Sequence, residues 1–157
     1  MFTFHKTDTG AVAPFEYLPA AAGTYEPGQA LNVVDGKLTA IAAASKTTPP
    51  YLSMTGKTVE DGDIIAVVRV NDDTIYKTTL SAEAATAKVG SMLEISAGGL
   101  EVDAAAEGTF EVVAIEGTAD GSTVYGRFKA AAPANSGGGT DPEPGAGSAD
   151  PEDPDSE

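Results

Sequence analysis

The sequence contains the stretch Gly28-Gln-Ala-Leu31-Asn-Val33-Val-Asp-Gly36-Lys-Leu38-Thr-Ala-Ile-Ala-Ala-Ala44, and nearly the same pattern returns as Gly90-Ser-Met-Leu93-Glu-Ile95-Ser-Ala-Gly98-Gly99-Leu100-Glu-Val-Asp-Ala-Ala-Ala106. In the first copy Leu31 and Val33 fall on one side of a short strand, and a glycine-bearing turn follows. The second copy has one extra glycine, after which Leu100 is expected to open the return strand. Apolar residues at period 2 around such a turn are typical of a β-hairpin. The sequence therefore predicts an all-β fold, a small barrel or sandwich of short antiparallel strands.

Composition limits the chemistry that the chain can perform. Its 157 residues favour one domain, and its hydrophobic fraction of 41% includes much alanine, with only 6% aromatic residues. The core should therefore be modest and built largely from Val, Ile and Leu. The chain has no cysteine, which excludes disulfides, thiolate metal sites and thiol catalysis.

The charge distribution argues against two classes of partner. The formal net charge is −15, and Lys and Arg cluster nowhere. Because cations dominate the affinity of proteins for phosphates, we expect no nucleic-acid binding and no binding to anionic membranes. The first nine residues lack the basic and apolar regions of a secretory signal, and no segment approaches the roughly 20 apolar residues that span a bilayer.

Three segments are predicted along the chain. Residues 1–27 contain a short strand followed by a Pro- and Gly-rich stretch, and are expected to form an N-terminal strand and extended arm. Residues 28–129 form a β-rich body. Residues 130–157 combine Pro, Gly and seven acids without a base, and are predicted to be a disordered acidic tail because nothing in them can be buried. The tail is interpreted as solubilising, with a lure for a basic partner as the alternative.

Two further local predictions concern the body. The run Ile64–Val70 has the clearest strand character, with Ile64, Ala66, Val68 and Val70 predicted on the buried face and Arg69 on the other. The alanine-rich run 81–89 lies between a possible N-cap serine and Gly90, so one or two helical turns are predicted there.

Candidate catalytic and metal-binding residues are few. His5 is the only histidine, and no nucleophile or acid is arranged around it in the sequence. The acidic turns 60–63 and 71–73 could attract calcium, but their spacing is not that of an EF-hand and a full strand separates them. We interpret both as ordinary turn residues. With no catalytic or phosphate-binding motif present, the sequence predicts no enzymatic activity, no cofactor and no metal.

Aromatic residues are concentrated in residues 1–27, which hold five of the chain's ten. Exposed aromatic side chains on an extended segment are typical of partner surfaces. The alternative is that they pack inside the domain. The candidate partner-contact residues are Phe2, Phe4, Phe15, Tyr17 and Tyr25.

Several stretches resemble the head decoration, or cement, proteins of tailed bacteriophages. They lie within roughly residues 1–128 and are hairpin and turn patterns: Tyr25-Glu-Pro-Gly28-Gln-Ala-Leu31, Asp35-Gly-Lys-Leu38, Ala44-Ser-Lys-Thr-Thr-Pro-Pro-Tyr-Leu52, Gly62-Asp-Ile-Ile-Ala-Val-Val-Arg69, and Val89-Gly-Ser-Met-Leu-Glu-Ile95 followed by Gly98-Gly-Leu100.

The resemblance implies a non-enzymatic structural protein of the virion. Such a protein is made in the host cytoplasm, binds the outer surface of the assembled capsid through the major capsid protein, and stabilises the shell. It acts as a homo-oligomer, often a trimer at symmetry axes. The alternative from another class is a carbohydrate- or host-surface-binding accessory module of a virion.

Overall fold

The structure is a computed structural model that describes residues 1–104 and 107–129. The predicted tail, residues 130–157, lies outside the described residues. Within them all regular secondary structure is β, and their strands are β1 (Thr3–Thr7), β2 (Phe15–Pro19), β3 (Gly23–Tyr25), β4 (Ala30–Val34), β5 (Lys37–Ala40), β6 (Tyr51–Ser53), β7 (Lys57–Val59), β8 (Ile64–Arg69), β9 (Thr74–Thr79), β10 (Met92–Ile95), β11 (Val102–Asp103), β12 (Phe110–Ile115) and β13 (Thr123–Phe128).

The strands form two main antiparallel sheets and a small ribbon. One sheet has the order β1-β9-β13-β12-β10-β11, the other the order β2-β8-β6-β4-β5, and β3 pairs with β7. The predicted all-β class, with short antiparallel strands in a sandwich-like arrangement, is confirmed.

The two sheets repeat one topology. We call β2, β4, β5, β6 and β8 the first unit, and β9 to β13 the second unit. In both, the order across the sheet is first strand, fifth, fourth, second and third. In both, the end of the first strand also meets the third in a parallel bridge, Ala20 with Leu38 and Leu80 with Val102. The repetition visible in the sequence as a hairpin therefore extends to a whole five-stranded unit.

The two repeated hairpins occupy equivalent places but have different turns. In β4–β5, Val33 lies opposite Leu38. In β10–β11, Ile95 lies opposite Val102, so the prediction that Leu100 opens the return strand is wrong. The second turn is longer and reaches the other unit, where the Ala30 amide donates to the Gly99 carbonyl at 2.7 Å.

Each unit encloses its own core. The first-unit core contains Leu31, Leu38, Ile65 and Val67 among its buried residues. The second-unit core is larger, with Phe110 and Phe128 completely buried, and it also takes in Ala30, Ile41 and Leu52 from the first unit. The two units therefore share apolar packing in addition to the backbone contacts between them.

The prediction for the faces of β8 is wrong. Ile65 and Val67 point into the first-unit core, whereas Ile64 is exposed and Val68 is half-buried on the opposite face. The run from Ile64 to Val68 is apolar at every position, so its periodicity alone cannot distinguish the two faces.

The predicted helical turns in residues 81–89 are absent, since this part of the described chain contains turns and irregular backbone only. The reason lies in its hydrogen bonds. The Ser81 amide donates to the Val102 carbonyl, and the Ala84 amide to the Thr118 carbonyl. These long-range bonds fix the backbone of Ser81 and Ala84 against distant segments, and the Ala87 amide donates to the Ala84 carbonyl in an isolated turn.

Candidate functional site

Residues 1–27 pair with the body along much of their length instead of standing apart as an arm. β1 pairs with β9 of the second unit, and β2 pairs with β8 of the first unit. β3 forms the ribbon with β7. The candidate aromatic residues are therefore held in fixed positions on both units.

Two of the five candidate residues are core residues. Phe2 and Tyr25 are each only 3% exposed. The Phe2 ring centroid lies 5.5 Å from that of Phe110 and 5.0 Å from that of Phe128. The Tyr25 hydroxyl lies within hydrogen-bonding distance of the Ala21 and Leu38 carbonyls. The alternative of packing inside the domain is correct for this pair.

The other three candidate residues are exposed. Phe4 is 49%, Phe15 59% and Tyr17 68% exposed. Phe15 and Tyr17 are two residues apart on β2 and therefore lie on the same face of the sheet. Directly opposite them on β8 are Val68 and Ala66. These side chains form a continuous apolar surface at the outer part of the first unit.

An apolar groove of about 360 Å³ adjoins this surface, between β1 and the first-unit sheet. Of the described residues that line it, none has a charged side chain, although the chain as a whole carries −15. The sequence prediction missed most of these residues, because their closeness depends on the pairing of distant strands. The groove is lined by Met1, Phe2, Thr3, Phe4, Val12, Ala13, Phe15, Pro27, Gly28, Leu52, Met54, Val68, Thr74 and Tyr76.

A polar cluster on the other face of β2 fixes this strand to its neighbours. Arg69 contacts both carboxylate oxygens of Glu16, at 2.9 and 3.2 Å, and donates to the Tyr51 hydroxyl at 2.6 Å. The hydrogen bond from Arg69 lowers the pKa of Glu16 below its ordinary value. β2, β6 and β8 are thus tied together, which gives the exposed aromatic face a rigid support.

The acidic turns lie at opposite ends of β8, as the sequence predicted, and their side chains serve the turns. Asp63 accepts a hydrogen bond from the Glu60 amide, and Asn71 accepts one from the Thr74 hydroxyl. Among residues 1–104 and 107–129 no group of three or more His, Asp or Glu is placed to hold a metal ion. His5 is exposed, with its ring centroid 4.8 Å from that of Tyr125.

No protein-family model matches the chain, and no curated protein matches it. The described residues include no helix long and apolar enough to cross a membrane.

Proposed function

We propose that this protein is a non-enzymatic virion structural protein that decorates and stabilises the outer surface of an assembled phage capsid. The observation that carries the proposal is the exposed apolar face of Phe4, Phe15 and Tyr17 beside a groove whose lining has no charged side chain. A monomeric protein rarely exposes a contiguous apolar surface of this kind unless it binds something there. The resemblance to head decoration proteins supplies the partner, the major capsid protein.

The chemistry of this face suits docking on a protein surface. Aromatic side chains with few rotamers contribute contact area at little entropic cost and are enriched in interface cores. The strongly acidic composition also fits a protein that stays on the outside of the shell, because it gives the chain no basic surface for packaged DNA. We propose that the protein acts as a homo-oligomer, in which several weak contacts add up to firm attachment.

The test is co-sedimentation with heads that lack the protein. Deleting residues 1–18 would remove β1 and most of β2 together with the buried Phe2, so substitutions are the sharper tool. The site variant is Phe15→Ser with Tyr17→Ser. The matched control is Val33→Ser with Val34→Ser, which changes two exposed residues of β4 (48% and 53% exposed) that do not line the groove.

We expect the full-length protein and the control to sediment with the heads, and the site variant to lose at least ten-fold in affinity while melting at the same temperature as the control. Full-length protein that stays in the supernatant overturns the decoration hypothesis. If it instead binds host envelopes or their glycans, the alternative of a host-surface-binding virion module is supported. A site variant that binds as tightly as the control shows that another face makes the contact.

A further inference from the structure

The first strands of the two units differ at their outer edges. In the second unit the edge of β9 is covered by β1, with Thr3 opposite Lys77 and Phe4 opposite Tyr76. In the first unit the equivalent strand, β2, is the edge of its sheet. The internal repeat thus shows the same position once with a strand in place and once without one.

The uncovered edge of β2 presents the backbone groups of Phe15 and Tyr17, and this row ends at Pro19, which has no N–H. The Ala20 amide donates to the Asp63 carbonyl, and bonding to a given neighbour alternates along an antiparallel strand. Glu16 and Leu18 therefore bond toward β8, whereas Phe15 and Tyr17 turn their N–H and C=O groups outward. Within the described part of the chain these outward groups have no backbone partner.

The side chains beside the two edges also differ. At the paired positions where the first unit has Tyr17 and Ala66, the second unit has Lys77 and Tyr125. Beside the covered edge of β9 the second unit carries a charged side chain, Lys77. Beside the uncovered edge of β2 the first unit carries Tyr17 and Ala66, and neither is charged. A free edge next to exposed aromatic side chains is the arrangement used in strand addition, where the backbone provides affinity and the side chains provide register.

The edge of β1, the strand that covers β9, is less suited to pairing. β1 has a register shift between Phe4 and Lys6, and bulges and lysine are two devices that protect edges from further pairing. β2 pairs with β8 through five consecutive positions without a shift. Its only charged residue, Glu16, is turned to the opposite face and held by Arg69.

We infer that the β2 edge is an acceptor site for an extended strand of the partner polypeptide, running antiparallel to β2 and carrying alternate apolar side chains. The template for the backbone pairing of this occupant is β1 on β9, where Thr3 lies opposite Lys77, the equivalent of Tyr17. The inference rests on the proposed function for the source of the strand, an exposed segment of the capsid surface. Its apolar side chains would lie against Phe15 and Tyr17, which places them one residue away from the register in which β1 pairs with β9.

The test uses a capped synthetic peptide with the sequence of residues 1–9 as the strand, and the full-length protein as acceptor. Amide hydrogen exchange is followed by NMR. We expect the amides of Phe15 and Tyr17 to exchange at least ten-fold more slowly with peptide at millimolar concentration. The variant Tyr17→Pro removes the outward N–H without removing a hydrogen bond to β8, and should lose the protection of Phe15. The matched control Tyr17→Thr keeps the N–H and should retain the protection of the Phe15 amide.

No protection of β2, or protection confined to β9 or β11, overturns the inference. Protection of β2 that rises with protein concentration in the absence of peptide also overturns it, and assigns the edge to a second copy of this chain. Undecorated heads separate this inference from the proposed function. If the Tyr17→Pro variant binds heads as tightly as the Tyr17→Thr variant, strand addition is overturned. The decoration hypothesis is unaffected by that result. If the peptide protects the β2 amides but the full-length protein does not bind heads, the acceptor site stands. Only the capsid is then excluded as the source of the strand.

Discussion

Gly99 of the second unit lies directly against Ala30 of the first. A Cβ atom on Gly99 would be 2.5 Å from the Ala30 carbonyl oxygen, while the Ala30 amide donates to the Gly99 carbonyl at 2.7 Å. Gly99 also has a positive φ of 72°, a conformation that glycine adopts without steric cost. The additional glycine of the second hairpin is therefore one of the points at which the two units touch.

Gly99→Ala is expected to destabilise the protein by about 3 kcal/mol, because it combines left-handed strain with backbone overlap. The neighbouring Gly98→Ala is the matched control. Gly98 also has a positive φ, of 86°, but no atom within 4 Å of its would-be Cβ, so about 1 kcal/mol of strain is expected. Urea denaturation midpoints measure both. Equal losses would show that the units do not depend on this contact.

Phe2→Ala is expected to cost about 3–5 kcal/mol, since it removes a ring packed between Phe110 and Phe128 in the second-unit core. Phe4→Ala removes an exposed ring and should change the free energy of unfolding by less than about 0.5 kcal/mol. Thermal or urea denaturation separates the two. The opposite order would mean that β1 presents its side chains differently.

Val67→Ala should lower the free energy of unfolding by about 1–3 kcal/mol, because the completely buried side chain loses two methyl groups. Val68→Ala makes the same chemical change on the half-buried outer face and should cost less than about 1 kcal/mol. Comparison of the two denaturation midpoints tests the orientation of β8. A larger loss at Val68 would restore the orientation predicted from the sequence.

The Glu16 carboxylate should make stability pH-dependent. Its pKa is lowered in the folded protein by the hydrogen bond from Arg69, so its contribution is present above the unfolded-state pKa and is lost as the pH falls through the folded-state pKa. We expect Glu16→Gln to melt below the wild type at pH 7 and to approach it at pH 3. Because the pair is exposed, the effect should be small and should shrink in high salt. A difference independent of pH would contradict this role.

Local patterns in the sequence identified the hairpins but could not identify their partners. Leu31 and Val33 are separated by the polar Asn32 and followed by a glycine-bearing turn, and this signal sufficed to predict β4 and its turn. Burial of Phe2 depends on Phe110 and Phe128, far along the chain, and no local pattern contains that information. The faces of β8 were ambiguous for a different reason, since both of them are apolar in the folded protein.

The candidate site was only partly predictable for the same physical reason. Phe4, Phe15 and Tyr17 were singled out by residue type, and they are exposed on one side of the molecule. The contributions of Met54 and Val68 to the groove arise from the pairing of β6 and β8 beside β2. The uncovered edge of β2 could be recognised only by comparing the two units in the folded protein, because the equivalent strand β9 is covered by β1.

The position of β1 sets an order of events during synthesis. The strands of the first unit lie between residues 15 and 69, so this unit can close as soon as β8 has emerged. β1 is synthesised earlier but can pair only after β9 has been synthesised. The Phe2 ring can pack against Phe110 and Phe128 only after β12 and β13 are complete. Contacts between such distant residues are slow to form. We therefore expect refolding to show a fast phase from the first unit and a slow phase in which β1 closes the second, with the open edge of β2 as a transient competitor for β1.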